Sequence, residues 1–472
     1  NGLTNKNERV SSGYGETRFS SIMSRLNYGF RERYFLELSY RQDYSSRFGP
    51  DRRRGVFPSA SASWMFSEEP FMDNLNFLYM GRFRGSYGKT GNAEIGNFRY
   101  LGATLPWFTY GQNTGVIFER VGNSTLQWEN TYQTNLGIDM AFAGGRVEIN
   151  LDYWDKLSED MLLRYRIGQF HGYWSSNIET NLGSLKWTGY EAALNTVNVQ
   201  GLGGGFKWET NVNITYARSE VIKLARSYFE AGTNRAIEGQ PLGAYYLPQW
   251  AGVDPVTGHE LIYEVDPVAY AENLDAVATE HLTGNVLDAE TMAAGKRDQM
   301  RVLDPNKSPY PDWYGCLNKS FSYKGVELSF LLWFQLGNWI YDEAEQDRSY
   351  ISTSSNASTK LLNGWTRENP TNIPLLLNSS GGGASSRFLY NGSYGRLRNL
   401  QLSYELPGSV LQMLNIERTR VYISGQNLML FTKFPGVDPE FSYDYDSNLN
   451  PGLLKYQLPQ ARTFLLGVDF SF

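Results

Sequence analysis

The sequence predicts an all-β transmembrane antiparallel β-barrel, of which this chain is a C-terminal portion. Three observations predict it. Apolar and polar residues alternate with period two in segment after segment. Aromatic residues are abundant and spread along the whole chain. The connections between alternating segments are short at one end and long at the other.

Composition sets the frame. The chain has 472 residues, with Tyr 32, Phe 26, Trp 12 and Gly 47. Aromatic residues favour strands, and Gly favours the turns between them. No run approaches the eighteen or so apolar residues of a membrane helix. The best, Phe330-Leu331-Leu332-Trp333-Phe334, is too short. A barrel crosses a bilayer with strands that hydropathy does not detect. The net charge of -6, with no basic run beyond Arg52-Arg53-Arg54, argues against a nucleic-acid partner. Cys316 is the single cysteine and reads as a small packed residue, and the three histidines, His171, His259 and His281, lack zinc spacing.

The alternation can be followed along the chain. Tyr34, Leu36, Leu38 and Tyr40 alternate with Glu37, Ser39 and Arg41. Val147, Ile149, Leu151 and Tyr153 alternate with Glu148, Asn150 and Asp152. Phe206, Trp208, Thr210, Val212, Ile214 and Tyr216 face away from Lys207, Glu209, Asn211, Asn213 and Thr215. Leu328, Phe330, Leu332 and Phe334 alternate with Glu327, Ser329 and Gln335. In a barrel the apolar set meets lipid and the polar set lines the lumen. About thirteen strands of about ten residues are expected, the length a tilted strand needs to cross. They begin near residues 20, 34, 57, 79, 129, 146, 181, 206, 313, 326, 394, 418 and 462. Long loops, taken as extracellular, are expected near 89–126, 158–180, 219–312, 338–392 and 430–460. Ser379 to Ser386 reads as a flexible stretch, and Gly203-Gly204-Gly205 as a tight turn.

An odd strand number places the two ends of the chain on opposite sides of the membrane. With Phe472 inside, Asn1 is expected outside. Bacterial single-chain barrels have even strand numbers, and open edges in lipid leave backbone groups unpaired at several kcal/mol each. The chain is therefore expected to pair with a missing N-terminal barrel segment or a second polypeptide.

Several blocks resemble the SusC/RagA family of TonB-dependent transporters of Bacteroidota. They include Arg41 to Gly49 (Arg-Gln-Asp-Tyr-Ser-Ser-Arg-Phe-Gly), Phe57 to Trp64, Ser67-Glu68-Glu69-Pro70-Phe71 and Arg82 to Asn92. Leu126-Gln127-Trp128-Glu129, Asp152-Tyr153-Trp154, Asp160-Met161-Leu162, Asn181-Leu182-Gly183 and Gly189-Tyr190-Glu191 add to them. Near the end come Gly425-Gln426-Asn427-Leu428, Phe431 to Glu440 and Arg462 to Gly467. The resemblance covers essentially the whole chain and is weaker in the long loops. It implies a barrel of about 22 strands with a plugged lumen, a bacterial outer-membrane location, and a plug that lies outside this chain. It also implies import of oligosaccharides or peptides with a SusD-like lipoprotein, driven by TonB-ExbB-ExbD through that plug. The alternative is a SusC-like barrel used as a scaffold subunit in a larger outer-membrane assembly. The sequence departs from the family after Asp254-Pro255-Val256-Thr257-Gly258, where an acidic insert follows.

No catalytic cluster emerges, so an enzyme is not expected. Candidate substrate contacts are loop aromatics, Trp107, Phe108, Tyr110, Tyr173, Trp174, Tyr245, Tyr246 and Trp250. Aromatic faces stack on sugars and on peptide side chains; the competing reading is loop packing or an interfacial girdle. Tyr28, Tyr40 and Tyr216, at strand ends, belong to the girdle. Phe472, Phe470 and Val468 resemble the terminal signal read by the barrel-assembly machinery. No cofactor is expected. A calcium ion on Asp438, Glu440, Asp444 and Asp446 is the one metal site to weigh, against a solvated acidic loop.

Overall fold

The computed structural model describes residues 15–110, 113–166, 177–201, 205–266, 282–289, 296–350, 356–375, 383–409, 411, 417–440, 442–443 and 448–471, with the backbone alone at 106–110, 113–116 and 166. Thirteen strands form one continuous antiparallel sheet in chain order. They are β1 (Phe19–Phe30), β2 (Tyr34–Ser45), β3 (Arg54–Trp64), β4 (Leu78–Asn92), β5 (Glu129–Phe142), β6 (Val147–Glu159) and β7 (Ser184–Val199). Then follow β8 (Lys207–Lys223), β9 (Trp313–Tyr323), β10 (Val326–Leu336), β11 (Tyr394–Glu405), β12 (Arg418–Thr432) and β13 (Thr463–Ser471). The expected starts fall within three residues of these. The largest offsets have local causes. Asn181 pairs with Leu162 in a separate hairpin, and Gly183, at φ +104, breaks the chain before β7. Before Phe57, Arg54 to Val56 already pair with Tyr44 to Gln42.

Connections at one end are brief: 31–33, 143–146 and 324–325, with 65–77, 200–206 and 406–417 somewhat longer. At the other end lie 93–128, 160–183, 224–312, 337–393 and 433–462. The link 46–53 is the one short connection at that end. Tight turns need left-handed backbone, and Lys324 (φ 48) and Gly325 (φ 84) supply it between β9 and β10.

The outward face is apolar. One aromatic row crosses four adjacent strands, Tyr153 to Tyr190, Tyr190 to Tyr216 and Tyr216 to Trp313, with ring centroids 5.3, 6.4 and 4.8 Å apart. Charge returns just beyond it, where Lys186 pairs with Asp155 at 3.0 Å. That sequence is the one expected from bilayer core to interface to headgroup.

Three of the long loops, 224–312, 337–393 and 433–462, fold together. Within 224–312, Tyr228–Ala231, Asn234–Ile237, Tyr245–Pro248 and Arg301–Asp304 make a four-stranded sheet. Trp250–Val253, Glu260–Val265 and Leu282–Asp288 make a three-stranded one. Trp339–Asp342 pairs with Leu389–Asn391 and, in parallel, with Leu453–Leu454 of the last loop. Tyr245, Leu247, Tyr341, Phe388 and Leu389 form a shared core, with Trp339 and Leu453 against it. These loops therefore form a cap with its own interior. The stretch expected to be flexible is packed where it is described. Ser385 is fully buried and donates to Glu260 Oε1 at 3.0 Å, and Ser386 Oγ accepts from Trp250 N at 2.8 Å. Glycine and serine there serve close approach instead of freedom.

Candidate functional site

The lumen face of the wall is a field of polar side chains fixed by strand register. Arg82 lies opposite Asp139, and Arg84 opposite Gly137, which faces Asp152 in turn. Arg82 Nη2 donates to Asp139 Oδ2 at 2.7 Å, Arg84 Nε to the same carboxylate at 3.1 Å and Arg84 Nη2 to Asp152 Oδ2 at 2.7 Å. Two arginines thus share two carboxylates across three strands. The glycine makes this possible, because a Cβ on Gly137 would stand 2.7 Å from the Arg84 guanidinium carbon. Gly189 does the same for Trp154, whose ring passes 2.3 Å from where a Cβ would be. Trp154 Nε1 then donates to Glu191 Oε1 at 2.8 Å.

A second cluster fastens the last outer loop to the wall. Arg396 on β11 reaches Asp438 at 2.6 Å and Glu440 at 2.8 Å. Arg396 and Asp438 are 3% and 2% exposed, so each charge depends on the other. Arg398, at a bulge in the β11–β12 ladder, also pairs with Glu440. Asp438 and Glu440, weighed as calcium ligands, therefore already have cationic partners. Asp444 and Asp446 lie outside the described residues. Among the described residues no group of three or more His, Cys, Asp or Glu side chains could hold a metal ion.

The cap is held by buried polar contacts as well as its core. Tyr245 Oη lies 3.0 Å from the carbonyl oxygens of both Trp339 and Gly452, reaching the two other loops at once. Burial pushes its phenol, and that of Tyr341, far up. Glu260, 1% exposed, faces Arg297 at 3.3 Å, and Arg297 donates to Gly383 O at 2.9 Å. In the expected turn Asp254 to Gly258, Asp254 Oδ1 accepts from the backbone N–H of Val256 at 2.7 Å and of Thr257 at 3.0 Å. Those two donors, Thr257 first, hold its carboxyl below the usual range.

Of the aromatics singled out from sequence, Tyr245, Tyr246 and Trp250 have described side chains, and they lie in different packing environments. Tyr246 is 4% exposed, in a cluster with Ile237, Ala244 and Leu303, and its ring lies under the Arg235 guanidinium at 3.4 Å. Trp250 is half-buried beside Ser386. Trp107, Phe108 and Tyr110 fall in strand Ala103–Tyr110, which pairs with Asn113–Arg120; their side chains lie outside the described residues, as do Tyr173 and Trp174 entirely. Of the terminal residues, Val468 pairs with Val421 and Phe470 with Thr419, both on the outward face; Phe472 lies outside the described residues. Sequence reasoning missed Arg84, Arg396 and Glu260. A lone charge in an alternating strand or an acidic loop carries no mark of its partner, and these partners are 37 to 125 residues away.

Comparison with known proteins agrees with this architecture. Residues 1–428 match the family described as TonB dependent receptor-like, beta-barrel. The chain is 29% identical to TonB-dependent receptor P3 of Formosa agariphila over 98% of its own length and 46% of that protein. It is 28% identical to TonB-dependent receptor SusC of Bacteroides thetaiotaomicron, over 96% of this chain and 43% of that one. A solved structure of the RagAB peptide transporter superposes with a TM-score of 0.82 at 27% identity, covering 97% of this chain and 48% of that chain. The chain thus spans about half the length of the relatives it matches. Those relatives are receptors and transporters, not enzymes. With its lipid-facing aromatic row, polar lumen and long-loop cap, the chain belongs to the TonB-dependent receptor-like β-barrel family of the outer membrane.

Proposed function

We propose that this chain forms part of the wall and the outer cap of an importer that carries oligosaccharides or peptides across the outer membrane. In this reading a SusD-like lipoprotein covers the cap. TonB-ExbB-ExbD supplies energy through a plug, and further strands from outside this chain complete the barrel. The observation that carries the reading is the cap itself. Three outer loops share one core around Tyr245 and Tyr341. Ordering so much loop costs considerable entropy, and long ordered loops at one end of a polar-lined wall serve binding or closure. SusC and RagAB are similar over nearly the whole chain, which points the same way.

The test is uptake by cells carrying the full-length receptor, using labelled maltooligosaccharides and tripeptides. One of the two should enter, and entry should stop when TonB is deleted. Entry that persists without TonB sinks the proposal. Removing 265–300 takes strand Leu282–Asp288 from the cap and no strand from the wall. The barrel should still assemble, and co-purification with the lipoprotein should fall. An intact lipoprotein complex with no uptake of either ligand favours the scaffold role.

A further inference from the structure

Where the cap meets the rim of the wall there is a small crevice of about 190 Å³. Its floor is Trp187 on β7 and Ala217 and Ser219 on β8; the segment from Pro305 to Asp312 closes it from the cap side. The Trp187 and Tyr310 rings meet edge to face, centroids 5.2 Å apart at 79°. Tyr310 is fixed there because its hydroxyl donates to Asn448 O at 2.6 Å. Asp312 is fixed too. Its carbonyl accepts from Ala217 N at 3.1 Å, and its carboxylate lies against Gly337, where a Cβ would stand 2.6 Å from Oδ2.

Asp312 lines the crevice, and its side chain pairs with no other described residue; Arg218, on the same face of β8 as Tyr216, projects from the outward side. Elsewhere on the inner face carboxylates are matched, as Asp139 is by Arg82 at 2.7 Å. An aromatic corner beside an uncommitted carboxylate suits an ammonium group, through charge and through the ring's quadrupole. A neutral oligosaccharide carries no ammonium group, so this corner suits a peptide end.

We propose that this crevice is a subsite for the free end of a short peptide. Asp312 receives the ammonium, and Trp187 packs on the adjoining carbons. The proposal rests on the import reading, of which it chooses the peptide arm.

Calorimetric titration of the detergent-purified full-length receptor tests it with trialanine, N-acetyl-trialanine and maltotriose. Acetylation should weaken binding about tenfold or more, the scale of one lost hydrogen bond to a charged group. Asp312→Asn should erase the difference between the two peptides while leaving the barrel heat-modifiable on gels. Equal binding of both peptides to the wild type overturns the proposal without recourse to any variant. So does a peptide preference that survives in Asp312→Asn, or maltotriose binding that this variant abolishes. Uptake separates the two readings. TonB-dependent peptide entry with acetylation-blind binding overturns the subsite alone. Acetylation-sensitive binding with no entry overturns import and leaves the subsite standing.

Discussion

The wall and the cap solve opposite problems with the same residue types. On the wall the large apolar side chains are the exposed ones: Leu466 is 74% and Phe464 70% accessible on β13, and Leu26 60% on β1. In the cap, Leu247 and Ile262 are fully buried and Tyr245 and Tyr341 nearly so. The wall is built for lipid outside and water inside, so its order comes from strand pairing and from charge pairs between neighbouring strands on the lumen face. The cap is built for water on every side, so it needs an interior. Burial alone therefore does not measure importance here; the solvent each region meets decides what a buried or exposed residue means.

The largest break in this comparison should come from the contact that joins the two regions. Arg396→Ala leaves Asp438 buried without its cation, a loss of about 3–5 kcal/mol for a broken buried pair. We expect the 433–462 loop to become protease-sensitive while the wall keeps its heat-modifiable migration. A loop as resistant as in the wild type would show that Arg398 alone can hold it. Next in size is a substitution that swaps solvents. Val212 faces lipid opposite Leu317, and Asn211 faces the lumen opposite Asn318. Val212→Arg should cost about 2–4 kcal/mol near the bilayer midplane and Asn211→Arg little. Equal membrane yields of the two would refute the assigned facing.

The smallest effect is a pH dependence of the cap. Burial raises the phenols of Tyr310 and Tyr390 to about 12, from an ordinary 10.0. A folded state that keeps its protons longer than the unfolded one is fully stabilised below pH 10.0 and loses that contribution as pH rises towards 12. Amide exchange in the cap should therefore accelerate across that window ahead of the wall strands. Simultaneous loosening of both regions would mean that the cap has no separate stability.

Legibility followed the same division. Wall strands could be read because one face must be apolar over about ten residues, and alternation of that length survives without knowledge of partners. Strand Tyr245–Pro248 could not, since all four residues are buried and no alternation remains. Its partner, Arg301–Asp304, lies past the whole second cap sheet in sequence. Ser385 was misleading for a different reason. Small residues in a row signal flexibility only when nothing packs against them, and Glu260 does. The candidate aromatics shared this weakness: a Tyr that stacks on a ligand and a Tyr under Arg235 have the same letter.

Strand order equals chain order in the wall, and this has a kinetic meaning. Six hairpins, from β1–β2 to β11–β12, are closed by the brief connections, the shortest at 324–325. Loops of about ten residues close in tens of nanoseconds and hairpins form in about 1–10 μs. Joining one hairpin to the next must wait for connections such as 224–312, and the cap can condense only after three of those joins exist. The unit of assembly is then the two-stranded hairpin, delivered with its polar loop on the far side. The cap is the last part of this chain to acquire its shape.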